Sequence, residues 1–365
     1  MRKKRWAAWL LAALLIPAGS LAGGTWTTLT DIAAETDEAE TTAGGYTGEV
    51  RMTFLGDCTL GGLEKKKNNR LGFVKRIDEN GYAFPFRDLS RLTRQDDLTV
   101  ANLEGVFSDR KLTRVKKEYN FIGPTAYTEI LTLAEIECVT LANNHSHDYG
   151  DAGYADTKEA LEKAGIAWFG TDAPAVWENA EGLRIGFIGV HFSLTGNRFK
   201  AYEAQMRALR DMGCVAVITV MHAGTEYSYT PPDRYQRQIV QRAAQCGSSL
   251  IIGHHPHVVQ GYTLYEGVPV VYSLGNCSFG GTTYAKDSDA LAVQAVLSFR
   301  DGVLERTDLH FYPISITSDD RYNNYSPRLL TGEDALQVLE KMRKSTGTDP
   351  GEWNEETGAV VSVTP

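Results

Sequence analysis

Short apolar runs alternate with amphipathic segments along most of this chain. The apolar runs predict buried strands, and the segments with helical spacing between them predict helices. The order strand, loop, helix, strand recurs, which is typical of an α/β fold. The predicted strands cover residues 50–55, 97–101, 138–142, 183–190, 215–221, 250–252 and 268–273. The predicted helices cover residues 86–94, 126–136, 156–164, 202–212, 235–245 and 333–343.

The pattern changes near residue 291. Residues 291–299 and 304–316 flank Asp301-Gly302, a dipeptide that favours a tight hairpin turn. We therefore expect an antiparallel pair of strands to close the sheet. Residues 345–365 show no clear pattern, and we predict a loose tail there after the last helix.

The N-terminal residues have the layout of an export signal. Met1–Arg5 is basic, residues 6–16 are apolar, and residues 17–24 are small and rich in helix breakers. This layout predicts a signal peptide or signal anchor over residues 1–24, with the basic end inside and the rest exported. Ser20-Leu21-Ala22 offers a small-x-small cleavage site, so secretion after cleavage and anchoring in the cell membrane both stay open.

The predicted domains follow from these boundaries. Residues 25–48 are rich in Thr, Ala, Gly and acidic residues, which predicts a disordered linker. Residues 49–330 are predicted to form the main domain, and residues 331–365 a C-terminal helix with its tail.

Composition excludes some classes of protein. The net charge of −9 argues against a nucleic-acid partner, which favours a basic face. The five cysteines include no C-x-x-C pair, so a zinc ribbon or redox motif is excluded, and we interpret them as buried free thiols.

The most concentrated chemistry lies in residues 250–260, LIIGHHPHVVQ. Three imidazoles, His254, His255 and His257, directly follow a predicted buried strand. Alternation along an extended segment would put His255 and His257 on one side and His254 on the other. Because neutral imidazole is a good ligand for transition metals, we predict that His255 and His257 bind a metal and that His254 is their neighbour.

Seven polar side chains share one position in the predicted fold: each follows the carboxyl end of a predicted strand. Ligands of α/β folds bind outside those ends, so these side chains are expected to converge. Carboxylate, amide oxygen and imidazole are the ligand set of a di-metal hydrolase. The seven residues are Asp57, Glu104, Asn144, His145, His222, His255 and His257.

Each of these residues also has a structural interpretation. Asp57 fits a turn, Glu104 fits a helix cap and His222 fits a core histidine. Glu226, close after His222, is either an orienter of a ligand histidine or a surface charge. Convergence of all seven favours the metal site over these separate explanations.

The motifs GD, NLE, NNHxxDYG, MHxGxEY, GHHPHVVQG and YSLGN occur here in this order. Together, from about Arg51 to about Phe279, they resemble the CapA family of capsule-synthesis proteins. These are poly-γ-glutamate synthesis accessory proteins related to calcineurin-like metallophosphoesterases. The resemblance implies a four-layer α/β/β/α sandwich, metallophosphoesterase-like, with its site at one edge of the central sheets.

The resemblance also implies roles for single residues. Asp57, Glu104, Asn144, His222, His255 and His257 match metal ligands, and His145 and Asp57 match the catalytic positions. The implied cofactor is one or two divalent ions, with Mn, Zn and Fe not distinguished. Two departures stand out: Thr59 occupies the histidine position of the D-x-H motif, and Glu104 replaces a bridging aspartate.

Two functions are therefore expected. The first is an extracytoplasmic protein of capsule or poly-γ-glutamate biosynthesis or export with a metal-dependent phosphoesterase-type hydrolase site. The alternative is a non-catalytic, metal-containing accessory. Expected partners are an anionic polymer such as poly-γ-glutamate or a phosphoester substrate, membrane synthase subunits, and the membrane through the N-terminal segment.

Overall fold

The computed structural model describes residues 24–30, 45–63 and 69–364. The predicted signal or anchor, apart from Gly24, lies outside the described residues. The strands of the described residues are β1 (Gly24–Thr28), β2 (Gly48–Thr59), β3 (Gly62–Leu63), β4 (Leu98–Leu103), β5 (Val106–Phe107), β6 (Phe121–Gly123), β7 (Cys138–Thr140), β8 (Ala167–Phe169), β9 (Ala175–Asn179), β10 (Arg184–His191), β11 (Cys214–His222), β12 (Leu250–His254), β13 (Val259–Tyr265), β14 (Val268–Leu274), β15 (Asn276–Phe279), β16 (Asp289–Arg300), β17 (Val303–Ser315), β18 (Arg328–Leu329) and β19 (Ala359–Val363).

Helices follow most of the parallel strands. Among the described residues, no helix has both the length and the apolar composition needed to cross a membrane. Short 3₁₀ helices at Arg87–Leu89 and Thr125–Tyr127 lead into two of the helices. The α-helices are α1 (Phe73–Asn80), α2 (Ser90–Thr93), α3 (Thr128–Leu133), α4 (Gly150–Lys163), α5 (Gly196–Asp211), α6 (Arg234–Gln245) and α7 (Gly332–Thr346).

Two large mixed sheets form the centre of the protein. The seven-stranded sheet has the order β1-β9-β10-β11-β12-β14-β13. The nine-stranded sheet has the order β18-β17-β16-β2-β4-β7-β8, with β15 beside β2 and β19 beside β17. Strands β10, β11 and β12 are mutually parallel, as are β2, β4 and β7, so each sheet gathers several strand carboxyl ends at one edge.

The buried side chains divide into layers. One apolar cluster, which includes Phe54 and Phe187, lies between the two sheets. A second cluster joins the outer face of the nine-stranded sheet to α1, α3 and α4, and a third joins the seven-stranded sheet to α5 and α6. This arrangement is a four-layer α/β/β/α sandwich, as predicted.

Local sequence explains why the central strands form where they do. Strands buried on both faces consist of nearly continuous apolar residues, and Leu250–Ile252 of β12 is fully buried. The predicted hairpin is confirmed, because β16 and β17 pair up to Arg300 opposite Val303. Asp301 and Gly302 in its turn have φ of 49° and 76°, the left-handed values that a two-residue hairpin turn requires.

Two predictions about chain ends are wrong. Thr25–Thr28, part of the predicted disordered linker, belongs to β1 and pairs antiparallel with β9. Residues 31–44 of that linker lie outside the described residues. The predicted loose tail contains β19, which pairs with β17. The helix before it, α7, is also part of the main fold, since Met342 is buried between the two sheets.

Trp26 is the side chain that fixes β1 to the body of the protein. It is 5% exposed and its ring lies 5.1 Å from that of Phe187. We expect Trp26→Ala to lower the free energy of unfolding by about 3–5 kcal/mol, since a large aromatic is removed from the core. Urea denaturation measures this, with exposed Thr25→Ala as control. Equal stability of the two variants would contradict the docking of β1.

Candidate metal centre

The strand ends of both sheets meet at one place. Strands β2, β4 and β7 deliver Asp57, Glu104 and the Asn144–His145 pair from one sheet. Strands β11 and β12 deliver His222 and the histidine loop from the other. All seven residues predicted for the site therefore lie together, and they are joined there by Asn102, Asp148, His254 and Asn276.

Asp57 is fully buried and lies at the centre of this cluster. Its Oδ1 accepts a hydrogen bond from Asn102 Nδ2 at 2.7 Å and lies 3.1 Å from His254 Nδ1. Its Oδ2 accepts from the His255 N–H at 3.2 Å and lies 3.3 Å from His257 Nδ1. Burial opposes ionisation, but the bonds and charges of His254 and His257 outweigh it and hold the Asp57 pKa well below its usual range.

A glycine allows the close approach that places Asp57. A Cβ at Gly56 would lie 2.3 Å from the Gly275 carbonyl oxygen, far inside contact distance. The Asp57 N–H donates to that same carbonyl at 3.0 Å. The ladder between β2 and β4 is irregular between Leu55 and Asp57, and such irregularities re-aim side chains at functional sites.

Glu104 is the unusual member of the cluster. It is fully buried, and among the described residues neither of its carboxylate oxygens has a hydrogen-bond partner. Three imidazole Nε2 atoms face its Oε1, those of His222 at 3.7 Å, His145 at 3.8 Å and His257 at 4.0 Å. Burial, and then the charge of Asp57, raise the Glu104 pKa to about 8.

These distances suit a cation. Two ligand atoms bonded to one transition metal at about 2.1 Å each lie at most about 4.2 Å apart. The three imidazole Nε2 atoms that face Glu104 Oε1, at 3.7–4.0 Å, meet this limit. The ligand atoms of Asp57, Glu104 and His257 lie within 4.8 Å of one another, as do those of Glu226, His255 and His257, so small side-chain shifts would bring each set around one ion. A cation among them would bind the Glu104 oxygens, which have no hydrogen-bond partner among the described residues. The residues present therefore fit one metal ion. Because both groups need the single free nitrogen of His257, the second group is an alternative position for that ion.

Hydrogen bonds orient His257 for such a role. Its Nδ1 donates to Asn276 Oδ1 at 2.9 Å and faces Asp57, which leaves Nε2 directed toward Glu104. An imidazole held at one nitrogen by oxygen acceptors presents the other nitrogen to a metal. Burial lowers the His257 pKa, but Glu104 and Asp57 outweigh it and raise the pKa to about 10.

His145 is held in a similar way by different partners. Its Nδ1 donates to Asp148 Oδ2 at 2.8 Å, and its ring lies 4.4 Å from that of Phe121. Lys117 pairs with Asp148 and donates from Nζ to the Asn144 carbonyl at 2.7 Å. Burial lowers the His145 pKa more than Asp148 raises it, so the ring is neutral and its Nε2 faces the cluster as an acceptor.

His222 and Asn144 are bonded to each other. Asn102 Nδ2 lies 3.2 Å from His222 Nδ1 and donates to it, so the ring proton is on Nε2. That Nε2 donates to Asn144 Oδ1 at 2.7 Å. Burial, and then His255, hold the His222 pKa well below its usual range.

The predicted orientation of His254 is wrong. It does not point away from the other histidines, because its Nδ1 lies 3.1 Å from Asp57 Oδ1. The alternation rule fails because the chain leaves extended geometry after β12: φ is 98° at His255 and 55° at His257. The side chains of His254, His255 and His257 therefore all reach one site.

Some site residues were not among those predicted from the sequence. Asn102, Asp148 and Asn276 lie inside the motifs NLE, NNHxxDYG and YSLGN, so the motifs contained a signal for them. Glu226, which is exposed, is grouped with His255 and His257 as a candidate metal ligand, a role that neither of its two interpretations included. Lys117 lies in an irregular segment with no motif, and only tertiary structure brings it to Asp148.

Replacing the Glu104 carboxylate tests its cation-binding role. Because the Glu104 pKa is raised, the protonated carboxyl favours the folded state. The stability that this group contributes is therefore complete below its usual pKa of 4.5 and is lost as the pH rises through about 8. With chelator present, we expect Glu104→Gln to be more stable than the unaltered protein by about 1–3 kcal/mol at about pH 9, and nearly equal at about pH 4.5.

The same variant should bind metal far more weakly, and elemental analysis after dialysis measures this. Exposed Glu129→Gln serves as the control and should change neither quantity. If Glu104→Gln were less stable than the unaltered protein at both pH values, burial of the Glu104 carboxylate without hydrogen-bond partners would not be destabilising, and the account would be wrong.

Several known proteins are similar to this chain. The chain is 26% identical over 305 residues to the capsule biosynthesis protein CapA of Bacillus anthracis, covering 76% of this chain and 69% of that protein. It is 27% identical over 279 residues to the PGA biosynthesis protein CapA of Bacillus subtilis, covering 70% and 69%. The calcineurin-like phosphoesterase YfkN from Bacillus subtilis matches with a TM-score of 0.43 and 12% identity, over 82% of this chain and 97% of that chain.

The family match includes every predicted site residue. Residues 51–280, more than half of the chain, match the model of the family described as bacterial capsule synthesis protein PGA_cap. The first and last predicted ligands, Asp57 and His257, both lie within this range. The chain belongs to the PGA_cap family of bacterial capsule synthesis proteins.

Proposed function

We propose that this protein is an exported, metal-dependent hydrolase of the phosphoesterase type that acts in the synthesis or export of an anionic capsule polymer such as poly-γ-glutamate. The observation that carries the proposal is the Glu104 carboxylate, which is buried without a hydrogen-bond partner and faced by three imidazoles. Family membership supports the cellular process, and the ligand set supports the chemistry.

The residues that would hold metal fall into two groups. Asp57, Glu104 and His257 would hold a divalent ion in one group, and Glu226, His255 and His257 form the other. A second ion bound at the same time would use Glu226 and His255 without His257. Nitrogen and oxygen ligands of this kind suit Mn, Zn and Fe alike. Divalent ions at such sites acidify a bound water and neutralise charge on phosphate oxygens.

The chain's own groups orient the substrate and move protons. His145 Nε2 faces the ligand cluster while Asp148 fixes the ring through Nδ1, so this nitrogen is placed to exchange a proton with a reacting oxygen. Lys117 balances the charge of Asp148 and holds the Asn144 backbone. Asp57 keeps the His257 ring in position from the opposite side.

A second function, the non-catalytic accessory, is favoured by one observation. Thr59 occupies the position of the superfamily's D-x-H histidine, and its hydroxyl donates to the Glu104 carbonyl at 3.0 Å. That position is therefore used for structure and offers no imidazole. In this alternative the same metals would bind carboxylates of the polymer or would stabilise a surface for synthase subunits.

Metal content and hydrolysis distinguish the two functions. The purified protein is stripped with chelator and reloaded separately with Mn, Zn or Fe, and metal is counted by elemental analysis. We expect bound metal and metal-dependent hydrolysis of a chromogenic phosphodiester. Bound metal with no hydrolysis would favour the accessory, and no bound metal would reject both functions.

Substitutions separate the histidine roles. His257→Ala should lose metal and, with it, some thermal stability, because a bound ion stabilises the folded state by mass action. His145→Ala should keep its metal and lose about 100- to 10,000-fold in turnover, the usual contribution of a proton-transfer group. Exposed His147→Ala, two residues further along, is the matched control and should change neither. Loss of metal in His145→Ala would make His145 a ligand.

Location is a separate part of the proposal. We infer from the basic Met1–Arg5 and the apolar run after it that the domain lies outside the cell membrane. Protease added to wall-stripped cells should then cleave the domain, while a cytoplasmic control protein stays intact. Protection of the domain equal to that of the control would contradict export and would leave the chemistry to be tested separately.

A further inference from the structure

A cavity of about 360 Å³ adjoins the metal centre, and the proposed function does not use it. It lies where β10 ends and α5 begins. The residues that give it polar character are His191, Ser193, Asn197, Arg198, Tyr202 and Gln205.

The cavity and the metal centre share a wall. His191 pairs in register with His222 across the parallel strands β10 and β11, and the two rings lie 5.9 Å apart. The N–H of the next residue, Phe192, donates to the His222 carbonyl at 3.1 Å. The cavity therefore begins directly behind the wall of the histidine cluster.

The cavity carries positive charge that no carboxylate neutralises. Arg198 Nη1 donates to Ser193 Oγ at 3.3 Å, and among the described residues no carboxylate forms an ion pair with this guanidinium.

The start of α5 adds to the charge of Arg198 at this end of the cavity. The first turn of α5, which contributes Asn197 and Arg198 to the lining, lacks a side-chain cap at Thr195. Its N–H groups add partial positive charge at the same end of the cavity. An anionic group is the ligand that this combination fits.

The geometry points to a second anion subsite: the cavity at Arg198 binds a carboxylate or phosphate of the same molecule whose first anionic group lies at the metal centre. This rests on the proposed function and narrows it, because the substrate then carries at least two anionic groups separated by a short linker. A guanidinium binds either group through two parallel N–H donors, which gives orientation as well as affinity. A repeated anionic polymer meets this requirement and a lone monoester does not.

The test measures binding and does not need turnover. Linear dicarboxylates from succinate to suberate, and the monocarboxylates of equal length, are titrated calorimetrically into the full-length metal-loaded protein. We expect one dicarboxylate length to bind about tenfold more tightly than its monocarboxylate. Arg198→Ala should remove this preference, Arg198→Lys should keep part of it, and added salt should weaken it, since Arg198 is exposed to solvent.

Arg207→Ala is the matched control, because Arg207 is an exposed arginine further along α5 and does not line the cavity. It should keep the full preference. An Arg198→Ala protein that still prefers the dicarboxylate, or an unaltered protein that prefers no length, would overturn the inference. Comparing the best dicarboxylate with a phosphonocarboxylate of equal length shows whether the subsite favours carboxylate or phosphate, and either outcome supports it.

Failure of the proposed function can be recognised separately. If the unaltered protein retains no metal, the proposed metal-dependent function is rejected. The anion subsite then still predicts that succinate binds the metal-free protein about tenfold more tightly than it binds Arg198→Ala. Intact hydrolysis with an unchanged Arg198→Ala titration would reject the subsite alone.

Discussion

One buried carboxylate, that of Asp57, joins the two sheets at the edge where the site forms. It belongs to β2, yet most groups around its oxygens come from the other sheet: His254, the His255 N–H and His257. Moving a charge out of water costs several kcal/mol unless polar partners replace the water. Because Asp57 takes partners from both sheets, its ionisation and the relative position of the sheets depend on each other.

Other parts of the site carry an energetic cost. Glu104 is buried beside Asp57 without the donors that Asp57 receives, so among the described residues its two oxygens have no hydrogen-bond partner. His255 and His257 adopt left-handed backbone angles that side-chain-bearing residues avoid. Asn102 and Asn276 bind the Asp57 carboxylate and the His257 imidazole through neutral amides, which add no net charge, and Asn143 holds Asn102 in place.

Sequence predicted the parts of the protein whose signal is local. The parallel strands are buried on both faces and consist of apolar runs, and polar residues at their ends converge because parallel strands end at one edge. The missed parts depend on distant partners. Strand β1 has one deeply buried large side chain, Trp26, and β19 is a short edge strand, so neither shows periodicity. The direction of His254 depends on a backbone turn at His255, and Lys117 reaches Asp148 only through the folded chain.

The last residues of the chain determine when folding can finish. One face of helix α7 packs against the core between the sheets, and β19 pairs with β17, so the central core includes side chains as late as Ala359. This core cannot close until residues up to Ala359 are available, and contacts between such distant segments form slowly. A chain interrupted before Ala359 would therefore lack both part of the central core and the strand that pairs with β17.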